Sequence, residues 1–175
     1  VVFLPGGGGQ RSAAEGSWGR WLADGDTVDK FRVAAVYAED GDLTDEYART
    51  VDVVEELLLC YGGDPDHVHL AGTSNGGVGS FALILDAPDT FATLLGAPGA
   101  FINFDTQAIE AALTGKAVFN GVGELDAGWL PAVEATHQGL VSLGIESELV
   151  IFEGQGHILD YEYDESIFYD FWLAH

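Results

Sequence analysis

The chain has 175 residues, 29 acidic against six basic side chains for a formal net charge of −23, and 47% hydrophobic residues. That length fits one domain, residues 1–175, with a core that needs no covalent staples, and the apolar content argues against disorder. The charge argues against nucleic acid and anionic membrane surfaces as partners, no apolar run is long enough for a membrane span, and the single cysteine, Cys60, excludes an internal disulfide or a multi-cysteine metal site.

Taken in order, the chain alternates strand and helix signals. Residues 1–4 read as an apolar strand that runs into Pro5 and four glycines, 6–9. They are too short, and lack the basic leader, for a secretory signal. A chain opening on valine is expected to have been trimmed, which leaves the compartment open between cytoplasm and secretion or periplasm. Residues 17–23, with Trp18 and Trp21, fit either a short helix or an ordered loop. Residues 31–38 read as the second strand, ending in the acidic turn 39–42. Residues 44–61 carry apolar side chains at Val51, Val54, Leu57 and Leu58, a helical period, with Thr44 as the expected cap and Asp45 and Glu46 favourable in the first turn. The stretch 62–66 stops this helix. Strands are expected at 68–71, 91–95, 117–122 and 148–152, and helices at 78–85, 105–113, 130–143 and 166–173.

Strands alternating with helices imply one doubly wound α/β domain, a mostly parallel sheet of about six strands with helices on both faces. In such a sheet ligands sit at the carboxyl ends of the strands, so reactive side chains are sought immediately after strands. The acidic residues are spread along the chain rather than gathered in a tail, and read as a solvated surface. Its self-repulsion is relieved by salt, so a halophilic habitat and an ordinary acidic protein fit equally well.

Residues 67–80 organise the rest. An apolar strand leads into Gly72-Thr73-Ser74-Asn75-Gly76, a G-x-S-x-G pattern, and a helix-like run follows. Strand, tight turn and helix are the context of a nucleophile elbow, where flanking glycines let strand and helix approach closely. A serine hydroxyl needs a base to take its proton. His157, in a glycine-rich loop after the last strand, suits that role, since a neutral imidazole accepts a proton near pH 7 and returns it later. Asp126, after the fifth strand, can hold the imidazole's tautomer and stabilise its protonated form. Glu124, two residues earlier in the same turn, is the competing acid. Ser, Asp, His is the chain order of α/β-hydrolases. The plainer readings are a turn serine and a loop histidine.

An acyl-transfer intermediate needs two N–H donors for its oxyanion. The backbone of Asn75 is the expected first donor, and Gly6 or Gly7 the second; the plainer reading of that glycine run is a flexible turn. This constellation points to acyl transfer to water without a metal or cofactor. Trp18, Phe101, Trp129 and Ile158 are candidates for lining a substrate pocket, with Phe104 nearby, although core packing explains aromatics equally well. His67 and His69 fall on one face of a strand as a metal pair would, but no third ligand stands out. Cys60 reads as core, and His137 and His175 have no evident partners.

Residues 62–99 then show a resemblance. The run Gly-Gly-Asp-Pro-Asp-His-Val-His-Leu-Ala-Gly-Thr-Ser-Asn-Gly-Gly, followed by Ala87-Pro88-Asp89-Thr90-Phe91-Ala92 and Pro98-Gly99, resembles the esterase family of polyhydroxybutyrate depolymerases, feruloyl esterases and acetylxylan esterases. The resemblance implies a minimal α/β-hydrolase fold, with Ser74 as nucleophile, Asp126 as acid and His157 as base. It departs where relatives commonly place a histidine before the glycines, here Leu4-Pro5-Gly6-Gly7, and in the earlier strands that relatives carry. Short segments, with no room for a lid between the fifth and sixth strands, imply an open, shallow site. The expectation is a lidless serine carboxylesterase acting on short-chain esters. A polymer-directed esterase (feruloyl, acetylxylan or polyester) is the alternative, and a non-catalytic hydrolase-fold binding protein the outsider. The expected partner is a small-molecule or polymeric ester.

Overall fold

The computed structural model describes residues 1–21, 30–38, 47–159, 164 and 166–175, with the side chains of 17–21 and 47–48 outside that description. The strands are β1 (Val2–Leu4), β2 (Ala34–Ala35), β3 (His69–Gly72), β4 (Thr93–Gly96), β5 (Ala117–Gly123) and β6 (Glu146–Phe152). The helices are α1 (Arg11–Trp21), α2 (Tyr47–Tyr61), α3 (Asn75–Asp86), α4 (Thr106–Leu113), α5 (Leu130–Ser142) and α6 (Ser166–Ala174). Short 3₁₀ turns, Pro65–His67 and Pro88–Thr90, precede β3 and β4.

The strands form one six-stranded sheet in the order β2-β1-β3-β4-β5-β6, and every pairing is parallel. The register aligns Leu4 with Gly72, Gly72 with Gly96 and Gly96 with Asn120. Whatever follows β1, β3, β5 and β6 is therefore delivered to one edge of the sheet. After β1 the chain moves outward to β2, then returns to place β3 on the other side of β1. That reversal leaves a crevice between the carboxyl ends of β1 and β3, where doubly wound sheets bind ligands.

Alternation along the strands divides the core in two. Val2, Leu4, Leu70, Leu94 and Val118 pack with Val54 of α2, Phe81 and Ile84 of α3, Ile109 and Leu113 of α4 and Leu140 of α5. Phe3, Ala71, Leu95 and Phe119 face the other way, onto Phe168, Tyr169, Phe171 and Trp172 of α6. The aromatic run at the end of the chain is thus a face-covering helix. Asp105 caps α4, its carboxylate accepting the N–H groups of Gln107 and Ala108 at 3.0 and 3.1 Å, a contact of the kind worth about 1 kcal/mol.

Several expectations change. The second strand shrinks from residues 31–38 to Ala34–Ala35, because its partner β1 is itself only three residues long; Phe31 and Val33 pack on the α6 side instead. The first helix starts at Arg11, supported by an Arg11–Glu15 ion pair at 2.8 Å. Thr44 and the acidic turn 39–42 lie outside the described residues. Cys60 is exposed rather than core. Val54, Leu57 and Leu58 face inward at helical spacing, and two residues beyond Leu58 the chain has turned about 200° away. At the far edge of the sheet, β6 presents Glu146 and Glu148 as exposed side chains.

His69 is buried in β3, bonded through Nδ1 to Thr93 Oγ1 at 2.9 Å and stacked on Trp172. Burial lowers its pKa from 6.5 to about 4. The unfolded chain therefore takes up this proton first. The stability His69 contributes is complete above pH 6.5 and is lost as pH falls from 6.5 through 4. His69→Gln, which keeps a partner for Thr93, is expected to flatten that interval of the stability profile by on the order of 3 kcal/mol. Urea midpoints for both proteins between pH 7 and 4 measure it, and parallel profiles would remove the assignment.

Candidate active site

The elbow is held by backbone packing. A Cβ on Gly72 would strike the carbonyl of Gly76, one on Gly76 the carbonyls of Leu4 and Pro5, and one on Gly77 the carbonyl of Pro98. Strand β3, helix α3 and the loops after β1 and β4 meet so closely that no side chain fits between them. Ser74 sits at the centre with φ 56° and ψ −121°. It is the one non-glycine residue with positive φ among the described residues, a strained conformation that persists only where the surroundings enforce it. Its N–H donates to Pro98 O at 2.8 Å, and its carbonyl accepts the Val78 N–H at 2.9 Å, so the helix begins immediately after it. Thr73 Oγ1 donates to Ala97 O at 2.7 Å and pins the preceding residue to the β4 loop.

The structure brings Ser74, His157 and Asp126 together from three separate strands. His157 Nε2 lies 2.9 Å from Ser74 Oγ, and His157 Nδ1 lies 2.6 Å from Asp126 Oδ2. Asp126 is 8% exposed and the imidazole 42%, so the carboxylate is sheltered while the imidazole faces solvent. With Nδ1–H donating to the carboxylate, Nε2 is left as an acceptor for the serine hydroxyl. The competing acid is occupied elsewhere: Glu124 Oε2 accepts the Gly154 N–H at 3.0 Å. Two backbone bonds, Glu124 N–H to Phe152 O at 3.0 Å and Leu125 N–H to Gln155 O at 2.8 Å, continue the β5–β6 pairing into the loops. The loop bearing Asp126 and the loop bearing His157 are thereby stitched together.

The glycine run after β1 reaches the serine. A Cβ built on Gly6 would lie 3.1 Å from Ser74 Cβ, and Gly7 has φ +66°. Gly9 N–H closes a turn onto Gly6 O at 3.3 Å. Asn75, at the start of α3, donates from Nδ2 to Gly7 O at 2.6 Å. The side chain of Asn75 thus ties the start of α3 to the glycine turn beside Ser74.

The pocket candidates separate. Trp129 stacks on His157, with ring centroids 5.9 Å apart and planes 28° apart. Ile158 is 66% exposed. Phe101 meets Phe81 of α3 edge-on at 4.8 Å and Phe104 at 5.7 Å, which is core packing. The side chain of Trp18 lies outside the described residues. A cavity of about 700 Å³ opens at the opposite pole, lined among others by Val1, Phe31, Arg32, Val54, Tyr61 and Trp172, and none of Ser74, Asp126 or His157 borders it.

The remaining histidines differ from their sequence reading. His67 and His69 share no strand face: Asp64 caps the Pro65–His67 turn and bonds His67 Nδ1 at 2.9 Å, whereas His69 points into the core. The turn ahead of β3 breaks the alternation that the pair required. Among the described residues no three His, Cys, Asp or Glu side chains gather as a metal site would need. His137 bonds Ser147 Oγ at 2.9 Å, and His175 rests on Phe171. No periodicity signals the tie from Asn75 to Gly7, or the bond from Glu124 to Gly154, in the sequence.

No protein-family model matches the chain, and no curated protein matches it. Solved structures do. Esterase PE8 aligns over 99% of this chain and 91% of its own, at 20% identity and a TM-score of 0.68. SOBER1 of Arabidopsis thaliana aligns over 99% and 96%, at 16% identity and a TM-score of 0.66. A thermostable esterase aligns over 87% of this chain but 46% of its own, at 19% identity and a TM-score of 0.69. At these identities the likeness is one of architecture: these structures, two of them named esterases, share the fold of this chain.

Proposed function

We propose that the chain is a serine esterase that hydrolyses short-chain carboxylic esters through an acyl-enzyme. The observation that carries this reading is the unbroken hydrogen-bonded line from Ser74 through His157 to a sheltered Asp126, set at the crevice between β1 and β3. Esterase neighbours with the same fold support it.

In this mechanism Ser74 Oγ attacks the ester carbonyl carbon while its proton passes to His157 Nε2. The carbonyl π pair moves to oxygen, and the oxyanion is met by the N–H groups of Asn75 and of Gly6 or Gly7. The intermediate collapses by breaking the bond to the alkoxy group, which leaves as alcohol with the proton from Nε2. Water then repeats the sequence on the acyl-enzyme, releasing the carboxylic acid and restoring Ser74. Asp126 keeps its bond to Nδ1–H and stabilises the imidazolium formed in each half. The connection from β5 to β6 holds α5 and no further element, so no lid is inserted between these two strands. Exposed Leu125 and Ile158, each next to a triad residue in sequence, suit a second reading in which the exposed chain of a polymeric ester is the substrate.

A series of p-nitrophenyl esters from acetate to palmitate tests this, together with labelling by a fluorophosphonate and assays on feruloyl and polyester substrates. The expected result is hydrolysis peaking at acetate or butyrate, with covalent labelling at Ser74. Labelling without p-nitrophenyl ester turnover, but with release from polymer, would move the assignment to the second reading. Neither labelling nor turnover would sink the esterase.

A further inference from the structure

We infer that the side chain of Asn75 is a positioning residue that locks the glycine turn supplying the second half of the oxyanion site; this rests on the esterase reading. Four consecutive glycines make residues 6–9 the least constrained backbone next to Ser74. Gly7 and Gly8 are the central residues of the turn that Gly9 closes onto Gly6. Nothing crowds Gly7, and only the side chain of Gln10 approaches Gly8. Sterics therefore do not fix the peptide between them, and a peptide linking two glycines rotates at little cost. The amide of Asn75 grips the carbonyl of that same peptide at 2.6 Å, from 68 residues away in sequence.

One residue thus serves both halves of the site. Its backbone N–H follows the nucleophile, and its side chain sets the orientation of the turn in which the other donor lies. Both parts are built on the rigid start of α3, so they are aligned before substrate arrives. Preorganised donors stabilise a developing oxyanion without reorganising during the reaction. The clamp consequently acts on the transition state and leaves ground-state binding alone.

Asn75→Ala keeps the backbone donor and removes only the grip. It is expected to lower kcat by about 10- to 100-fold with KM unchanged, and to weaken binding of a trifluoromethyl ketone, which mimics the tetrahedral intermediate, by the same factor. Asn75→Leu, close in size and uncharged but without the donor, should match it. Amide hydrogen exchange over residues 5–10 should quicken in both variants and remain unchanged in Ser74→Ala. Full activity in Asn75→Ala, or a raised KM at unchanged kcat, would overturn the clamp while leaving an active esterase in place. An inactive wild type whose turn still loosens in Asn75→Ala would overturn the esterase reading and the catalytic role of the clamp together.

Discussion

Ser74→Ala is expected to abolish ester turnover, lowering kcat by at least about 10⁴-fold, with the fold intact. Removing Oγ takes away the nucleophile, so no acyl-enzyme forms and fluorophosphonate labelling disappears. Activity above water then comes only from the oxyanion donors and from binding. The fold should survive because the serine side chain caps nothing: no side-chain cap bond is made at the start of α3. The backbone bonds to Pro98 and Val78 do not need it. Alanine inherits the strain of φ 56°, whereas glycine does not. Ser74→Gly should therefore be equally inactive but more stable than Ser74→Ala, by about 1 kcal/mol. Thermal melts of the two variants beside wild type provide the check. Substantial turnover in either variant would remove the proposed mechanism.

The second large effect separates two neighbouring acids. Asp126→Asn is expected to lower kcat about 10⁴-fold, while Glu124→Gln changes it by no more than a few-fold. An amide at position 126 can present its NH₂ group to His157 Nδ1, which then becomes the acceptor and puts the ring proton on Nε2. In that tautomer Nε2 cannot take the serine proton. Glu124 accepts one backbone N–H, from Gly154, and the carbonyl oxygen of glutamine accepts it equally well. Steady-state kinetics on p-nitrophenyl acetate for both variants decide the matter. The reverse ranking would make Glu124 the acid.

How far the sequence disclosed this site follows from the range of each interaction. Ser74 was legible because the elbow is local: Gly72, Gly76 and Gly77 are required by the backbone contacts that hold the serine, and all lie within six residues. His157 and Asp126 were legible by topology, since parallel strands deliver their loops to one edge. The choice of Asp126 over Glu124 depends on where a single carboxylate turns, which only the folded loops decide. Residues 31–38 read as a strand, yet the length of the partner β1 limits the pairing to two residues. The His67–His69 spacing misled because Asp64 and Pro65 start a turn inside the expected strand register. The grip of Asn75 on Gly7 spans 68 residues, and composition carries no trace of it.

The exposed glutamates of β6 bear on how the protein behaves in bulk. An edge strand offers unpaired backbone groups to other chains, and charge is one of the means by which proteins keep such edges apart. At neutral pH Glu146 and Glu148 guard this edge within a chain of net charge −23. Both protections are the same carboxylate charge and fail together as acid brings the chain towards its isoelectric point near 4.1. The protonation of His69 loosens the interior over the same interval. Acid precipitation of this protein is therefore expected to favour strand pairing between copies, with colloidal and folding stability falling over one pH interval.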